Sequence, residues 1–469
     1  MKARYLLPLF FVLAAIWAPA AVWAQIGPDT GDRDSNEVER ILTQAVEYLS
    51  VARYDEAIAL FDTLPQPQRD DPNLRFIRAS ILTSAGRFAE ARTAVEAVIA
   101  VQPGNIDALF LLAAIEGITG RRRQQQTALE RIITIEPNNV EALVGLGNVS
   151  LETRLFRQAS TYFQSALSND SRNADALVGL SRAFRMNTEW DEAERLLDRA
   201  IYLYPDRLDV RTERARFYWG RERLREAFED FGVAIKIAPN DHWVASDMAQ
   251  LLFEMGRKQE ALVEFNRAIA LNPNEYLPYV FTAGLKDDFG DHEGAERDYA
   301  ILSRLKPDYY FAFEGLGLHK MRKGQWAEAR DAFMEAYRQA PNEHYFALLA
   351  AICWMRMGDV TAPRAFLNQA QARVTRNTLE WYMFRLYYDM TSRNYQSEND
   401  VARRLDQEQD ETIKARMLFY MAWYYEIRGS STLANRYFLM ANELNKRGIP
   451  EWRLNEWVLI DRRIHPYIF

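Results

Sequence analysis

The residues of this chain whose types most readily carry chemistry are five histidines, one cysteine and a few glycine pairs. His242, His292, His319, His344 and His465 include no HExxH pair, the spacing that puts two imidazoles on one helix face for zinc. Cys353 alone can build neither a thiolate metal site nor an internal disulfide, and within Ala350-Ala351-Ile352-Cys353-Trp354 it reads as a small buried hydrophobe. Gly145-Leu146-Gly147 and Gly315-Leu316-Gly317 lack the preceding strand that a phosphate-binding loop requires. A GxSxG elbow is missing. Carboxylates are abundant, but no spacing marks two of them as an acid and base pair. The expectation is therefore no enzyme, no cofactor and no metal site, and the chemistry left is recognition.

What positions the recognition surface is a repeat. Pro103, Pro137, Pro205, Pro239, Pro273, Pro307 and Pro341 fall on one evenly spaced lattice, the step from Pro103 to Pro137 recurring along the chain with Ser171 as the miss. Ala57, Ala91, Ala159, Ala193, Ala227, Ala261, Ala295 and Ala329 fall on a second lattice of the same step, missed at Gln125, and Gly86, Gly120, Gly256, Gly290, Gly324 and Gly358 mark a third. Four residues after the Ala stands a large apolar group (Phe163, Phe231, Phe265, Tyr299, Phe333), and seven after it often another Ala. That spacing is one stripe of a helix, in which small residues flank a large one so that a neighbouring helix can approach. The Gly five residues before the Ala suits a turn needing positive φ, and the Pro twelve after it ends the second helix. Asn138, Asp206, Asn240, Asn274, Asp308 and Asn342 follow those prolines and are expected to cap the next helix.

Length and charge agree with an extended array. At 469 residues a single compact core is unusual. The formal charge of −7, which becomes −9 without Lys2 and Arg4, speaks against general nucleic-acid binding. Lys2 and Arg4 precede an apolar run from Tyr5 to Val22 that ends in Val22-Trp23-Ala24, the pattern of a secretory signal cleaved before Gln25. No Cys stands near that site, so no lipid anchor is expected. The chain divides into a signal peptide 1–24, a linker 25–37, ten repeats over 38–377, two degenerate repeats over 378–448 and an aromatic cap over 449–469. The cap carries Trp452, Trp457, Tyr467 and Phe469, and is expected to cover the open end of the last hairpin. Ala434, Phe438 and Ala441 with Gly429 mark the later repeat, whose register has slipped by three. Repeat three is irregular: it replaces its Ala by Gln125 and carries Arg121-Arg122-Arg123, read as a solvated helix start or as a patch for an acidic partner.

Units of this length, with small groups at positions 8, 20 and 27, an aromatic at 24 and Pro at 32, resemble tetratricopeptide repeats. The resemblance implies an all-α, right-handed superhelical solenoid of antiparallel helix pairs that binds extended peptides or partner helices through positions 2, 5, 9, 12 and 13 of its first helices. On this chain those positions give Asn148, Arg182, Arg216 and Gln250, with Arg185 beside them. The match to carboxylate-binding members is partial, since Arg stands where such members often use Lys. Position 2 runs from Asp107, Glu141, Asp175 and Asp209 to Trp243, Leu277, Phe311 and Tyr345, and position 12 adds Trp219 and Phe253. A groove polar first and apolar later is expected, with one extended segment across repeats four to ten. The competing expectations are ion pairing for the arginines and packing on adjacent helices for the rings.

The function expected is a protein-binding scaffold or adaptor in the periplasm or secreted space, with a carrier of peptides or cell-wall glycan as the alternative. Its partners would be one or more proteins. Envelope association and self-association are left open.

Overall fold

The computed structural model describes residues 32–390 and 396–464, and among these it holds 26 helices and no strand. The signal peptide, the start of the linker and the terminal Tyr467 and Phe469 lie outside the described residues. First helices begin at Pro72, Ile106, Val140, Ala174, Leu208, His242, Tyr276 and Tyr310, and second helices at Phe88, Arg122, Phe156, Trp190, Leu224, Lys258, His292 and Trp326. Both series advance by the step of the proline lattice, so the periodicity of the sequence is the periodicity of the helix starts. The chain forms two compact halves, one running to Ile237 and one from Ala238.

Within each half the hairpins that carry the stripe described above close on it. All eight lattice alanines are fully buried, as are Phe163, Phe231, Phe265 and Phe333. The glycine pairs serve this packing. A methyl group at Gly179 would stand 2.3 Å from the Phe163 ring, and one at Gly147 would stand 2.7 Å from it on the hairpin's own side. Phe163 is thus held between two glycine surfaces, and no side chain fits at either position without moving the ring.

The turn between first and second helices requires positive φ. Gly86, Gly120, Gly256, Gly290, Gly324 and Gly358 supply it with φ of 71 to 87°, and Ala52, Arg154, Thr188 and Glu222 adopt φ of 56 to 65° at the same lattice positions. One expectation is displaced by a residue. The side chains that cap first helices are Asn105, Asn139, Asn173 and Asp241, two residues past the Pro position, whereas Asn138 and Asn240 lie in the turn. The turn consumes one more residue than the Pro alone suggests, and only then does the backbone reach the extended conformation an N-cap needs.

Repeat three compensates for its missing alanine. Gln125 is buried where Ala is the rule, and its amide lies 2.7 Å from the place a Cβ would occupy on Gly117. Arg122 binds Gly117 O at 2.5 Å and Glu152 at 2.5 Å, and Arg121 faces Glu116 at 3.6 Å. Two of the three arginines thus lie in ion pairs within the fold.

After repeat ten, the helices Leu379–Tyr388 and Gln396–Gln407, then Glu411–Ile427 and Ser431–Glu443, continue as pairs, with Ala434, Phe438 and Ala441 buried. A last helix, Pro450–Asp461, follows.

Candidate functional site

The inner positions of the N-terminal half are mainly charged and polar. Asn148 is exposed on helix Val140–Glu152. Arg182 and Arg185 project from helix Ala174–Met186 onto one buried acid of the next repeat: Arg182 Nε lies 2.6 Å from Glu213 Oε2, and Arg185 Nη2 lies 3.4 Å from Oε1. Both arginine side chains keep about a third of their surface, at 37% and 30%. Glu213 was not singled out from the sequence. Its signal was an acid at the register position where Gly145 and Gly179 stand in the two preceding repeats. Arg216 and Trp219 are half-buried on helix Leu208–Gly220, and Trp219 packs edge-on against Phe231 with centroids 6.2 Å apart.

Position 2 forms a continuous charged row. Burial, and then the charges of Asp107 and Asp175, push the Glu141 carboxyl above the ordinary range. Arg207 closes the row by bridging Asp175, at 2.5 Å, and Asp209, at 2.8 Å. Like positions of successive first helices are therefore electrostatic neighbours.

In the C-terminal half the expected apolar positions divide. Trp243 and Phe311 are exposed, at 37% and 46%. Trp243 lies against His242 with centroids 4.9 Å apart, and Phe311 stacks on Tyr310 at 4.1 Å. Gln250 turns back to its own helix, 3.4 Å from Ser246 O. Phe253 is half-buried against Phe281 at 5.3 Å. Tyr345 departs from the expectation of a partner-facing ring: it is 7% exposed, its hydroxyl donates to Glu314 at 3.4 Å, and its carbonyl accepts from Tyr420 at 3.2 Å. Periodicity places position 2 at a groove but cannot reveal that helix Glu411–Ile427 covers it, with Arg416 4.9 Å over the Tyr345 ring.

The last helix is Pro450–Asp461. It does more than cap the last hairpin, because it packs on helices Glu411–Ile427 and Ser431–Glu443 and also on the first helix of repeat nine, Tyr310–Arg322. Arg453 Nη1 reaches Asp287 Oδ2 at 2.6 Å across 166 residues. Asp287, 1% exposed, also has His319 Nε2 at 3.0 Å and His292 Nδ1 at 3.2 Å. Burial pushes the Asp287 carboxyl up, but His319, Arg453 and His292 together outweigh it and hold it below the usual range. Trp457 lies over the two imidazoles, 5.2 Å from His292 and 5.1 Å from His319, with Arg322 on its ring at 4.9 Å. Glu451, fully buried, accepts from Tyr420 at 2.8 Å and pairs with Arg416 at 3.0 Å. Burial, then the Glu451 charge, pushes the Glu314 carboxyl up to about 7 despite its bond from Tyr345.

Among the described residues, no group of His, Cys, Asp and Glu is arranged to hold a metal ion, and no helix is long and apolar enough to cross a membrane.

Comparison with known proteins follows the repeat. No curated protein matches the sequence. Among solved structures, a tetratricopeptide repeat protein from Parabacteroides merdae is 16% identical, covering 53% of this chain and 98% of its own, with a TM-score of 0.47. The pilF protein of Pseudomonas aeruginosa is 24% identical, covering 43% of this chain and 92% of its own, with a TM-score of 0.39. The thermophilic TPR protein TTC0263 of Thermus thermophilus is 21% identical, covering 38% and 98%, with a TM-score of 0.36. One family model described as Tetratricopeptide repeat matches residues 42–106, 144–207, 285–344 and 314–377, and a second of the same description matches 247–275. With the matched residues spanning just over half of the sequence, and the helix starts advancing by one constant step, the chain belongs to the tetratricopeptide-repeat family.

Proposed function

We propose that this chain is an exported protein-binding scaffold, periplasmic or secreted, that holds an extended peptide or a partner helix against the inner positions of its first helices. The observation that carries the reading is the exposure of Trp243 and Phe311, at 37% and 46%, on helices whose other large rings are mostly half-buried or buried. Large rings left open on a regular helix face have the composition of interface anchors. In the N-terminal half, Asn148, Arg182, Arg185 and Arg216 supply donors for a carboxylate or a peptide backbone. A ligand carboxylate there would compete with Glu213 for Arg182 and Arg185. Trp219 and Phe253, packed on neighbouring rings, frame these surfaces, and Tyr345 drops out of the contact set.

Crosslinking mass spectrometry on native protein from its envelope fraction tests the reading. Crosslinks to a defined protein are expected, and Trp243→Ala with Phe311→Ala should weaken that partner at least tenfold by titration calorimetry. Unchanged affinity would place binding elsewhere. The same exposed rings would stack on a sugar face, so a carrier for cell-wall glycan or peptide is the second reading. Affinity for glycan fragments with no protein crosslinked would favour it.

A further inference from the structure

The last helix makes a set of contacts that no described hairpin of this chain repeats. Arg453 and Trp457 stand one turn apart and so project from one face of Pro450–Asp461. Both are received by inner residues of repeats eight and nine: Arg453 by Asp287 and, at 3.8 Å, Asp288, and Trp457 by His292, His319 and Arg322. Glu451 adds a third anchor on Arg416 and Tyr420. The helix is thus held by charge and one indole where it meets repeats eight and nine, and by Leu454 and Leu459 buried in the core of the C-terminal half.

Two features distinguish this seam from a hairpin core. Its buried charges are paired across it, an arrangement that fixes register more than it adds net stability. The helix follows Ser431–Glu443 through only the short link 444–449, which contains Asn445 at φ 50° and Gly448.

We propose that the inner face of repeats eight and nine is a helix-binding groove filled here by the chain's own C-terminal helix, and that the partner it takes is a helix bearing an arginine and, four residues later, a tryptophan or comparable ring. The proposal rests on the scaffold reading and names its partner chemistry. Asp287 between its two histidines is the arginine receptor, and the imidazoles with Arg322 form the aromatic slot. The chain's own helix is the competitor that any such partner must displace.

The test uses full-length protein and a fluorescein-labelled peptide of residues 449–464. Wild type should bind the peptide weakly, because its own helix occupies the groove. The Arg453→Ala/Trp457→Ala double variant should bind it at least tenfold more tightly, and adding Asp287→Asn should remove that gain. In the double variant, hydrogen exchange should rise over 450–461 while 411–427 and 431–443 stay protected. Loss of protection over all three segments would overturn the proposal by showing a structural cap. A released helix with no peptide binding would overturn it too, while leaving the scaffold reading to the Trp243 and Phe311 variants.

Discussion

The two halves make the same turn with different residues. From Ala238 onward the positive-φ lattice positions are Gly256, Gly290, Gly324 and Gly358, while the N-terminal half places Ala52, Arg154, Thr188 and Glu222 at four of its six. Hairpin packing therefore imposes the left-handed residue, and glycine only lowers its cost. The inner positions contrast as well. In the N-terminal half they present partly exposed arginines and a charged row, whereas in the C-terminal half Asp287, Glu314 and Tyr345 are buried beneath later helices.

The largest expected effect probes packing. Gly179→Ala forces a methyl against the Phe163 ring and should cost about 3 kcal/mol, more than the helix propensity it gains. Because repeats contact mainly their neighbours, hydrogen exchange should rise around repeats four and five while helices of the C-terminal half stay protected. Equal loss in both halves would abolish the contrast.

Next in size is a pH response confined to the C-terminal half. Burial, then the Glu451 charge, raises the Glu314 carboxyl to about 7, above its value in the unfolded chain. A raised carboxyl favours the folded C-terminal half at low pH, and that advantage is lost as pH climbs through about 7, by roughly 2 to 3 kcal/mol. Protection over 450–461 should therefore fall between pH 5 and pH 8. Arg416, Arg453, Glu343 and Tyr345 also face this site, so Glu314→Gln separates the causes. A response that survives it would rule out Glu314 as the cause.

Smallest is the turn itself. Glu222→Gly should stabilise the N-terminal half by about 1 kcal/mol, and Gly290→Ala should destabilise the C-terminal half by a similar amount. Thermal melts of the two single variants decide it; shifts of the same sign would show that the turns differ in more than residue type.

What the sequence made legible is what repeats. Prolines, alanines and glycines at fixed spacing gave the helix starts, because each marks a contact made again and again with the adjacent helix. The cap residue was misplaced by one, since Asn138 and Asn139 both follow the proline and only backbone geometry chooses between them. The arginines at 182 and 185 were found by register, but Glu213 was not, because a partner acid appears in one repeat only. Least legible was the pairing of Arg453 with Asp287, a single contact across 166 residues with no periodic signature. Of the candidate aromatics, Tyr345 was lost for the same reason.

The lone thiol offers a clock. Cys353 is the chain's one cysteine, fully buried in helix Tyr345–Arg356, and burial pushes its thiol well above the ordinary range. A thiolate reagent cannot touch it until the surrounding core opens. Its labelling rate in native buffer thus times the breathing of the C-terminal half alone, in unmodified protein, and any partner that seals that half should slow it.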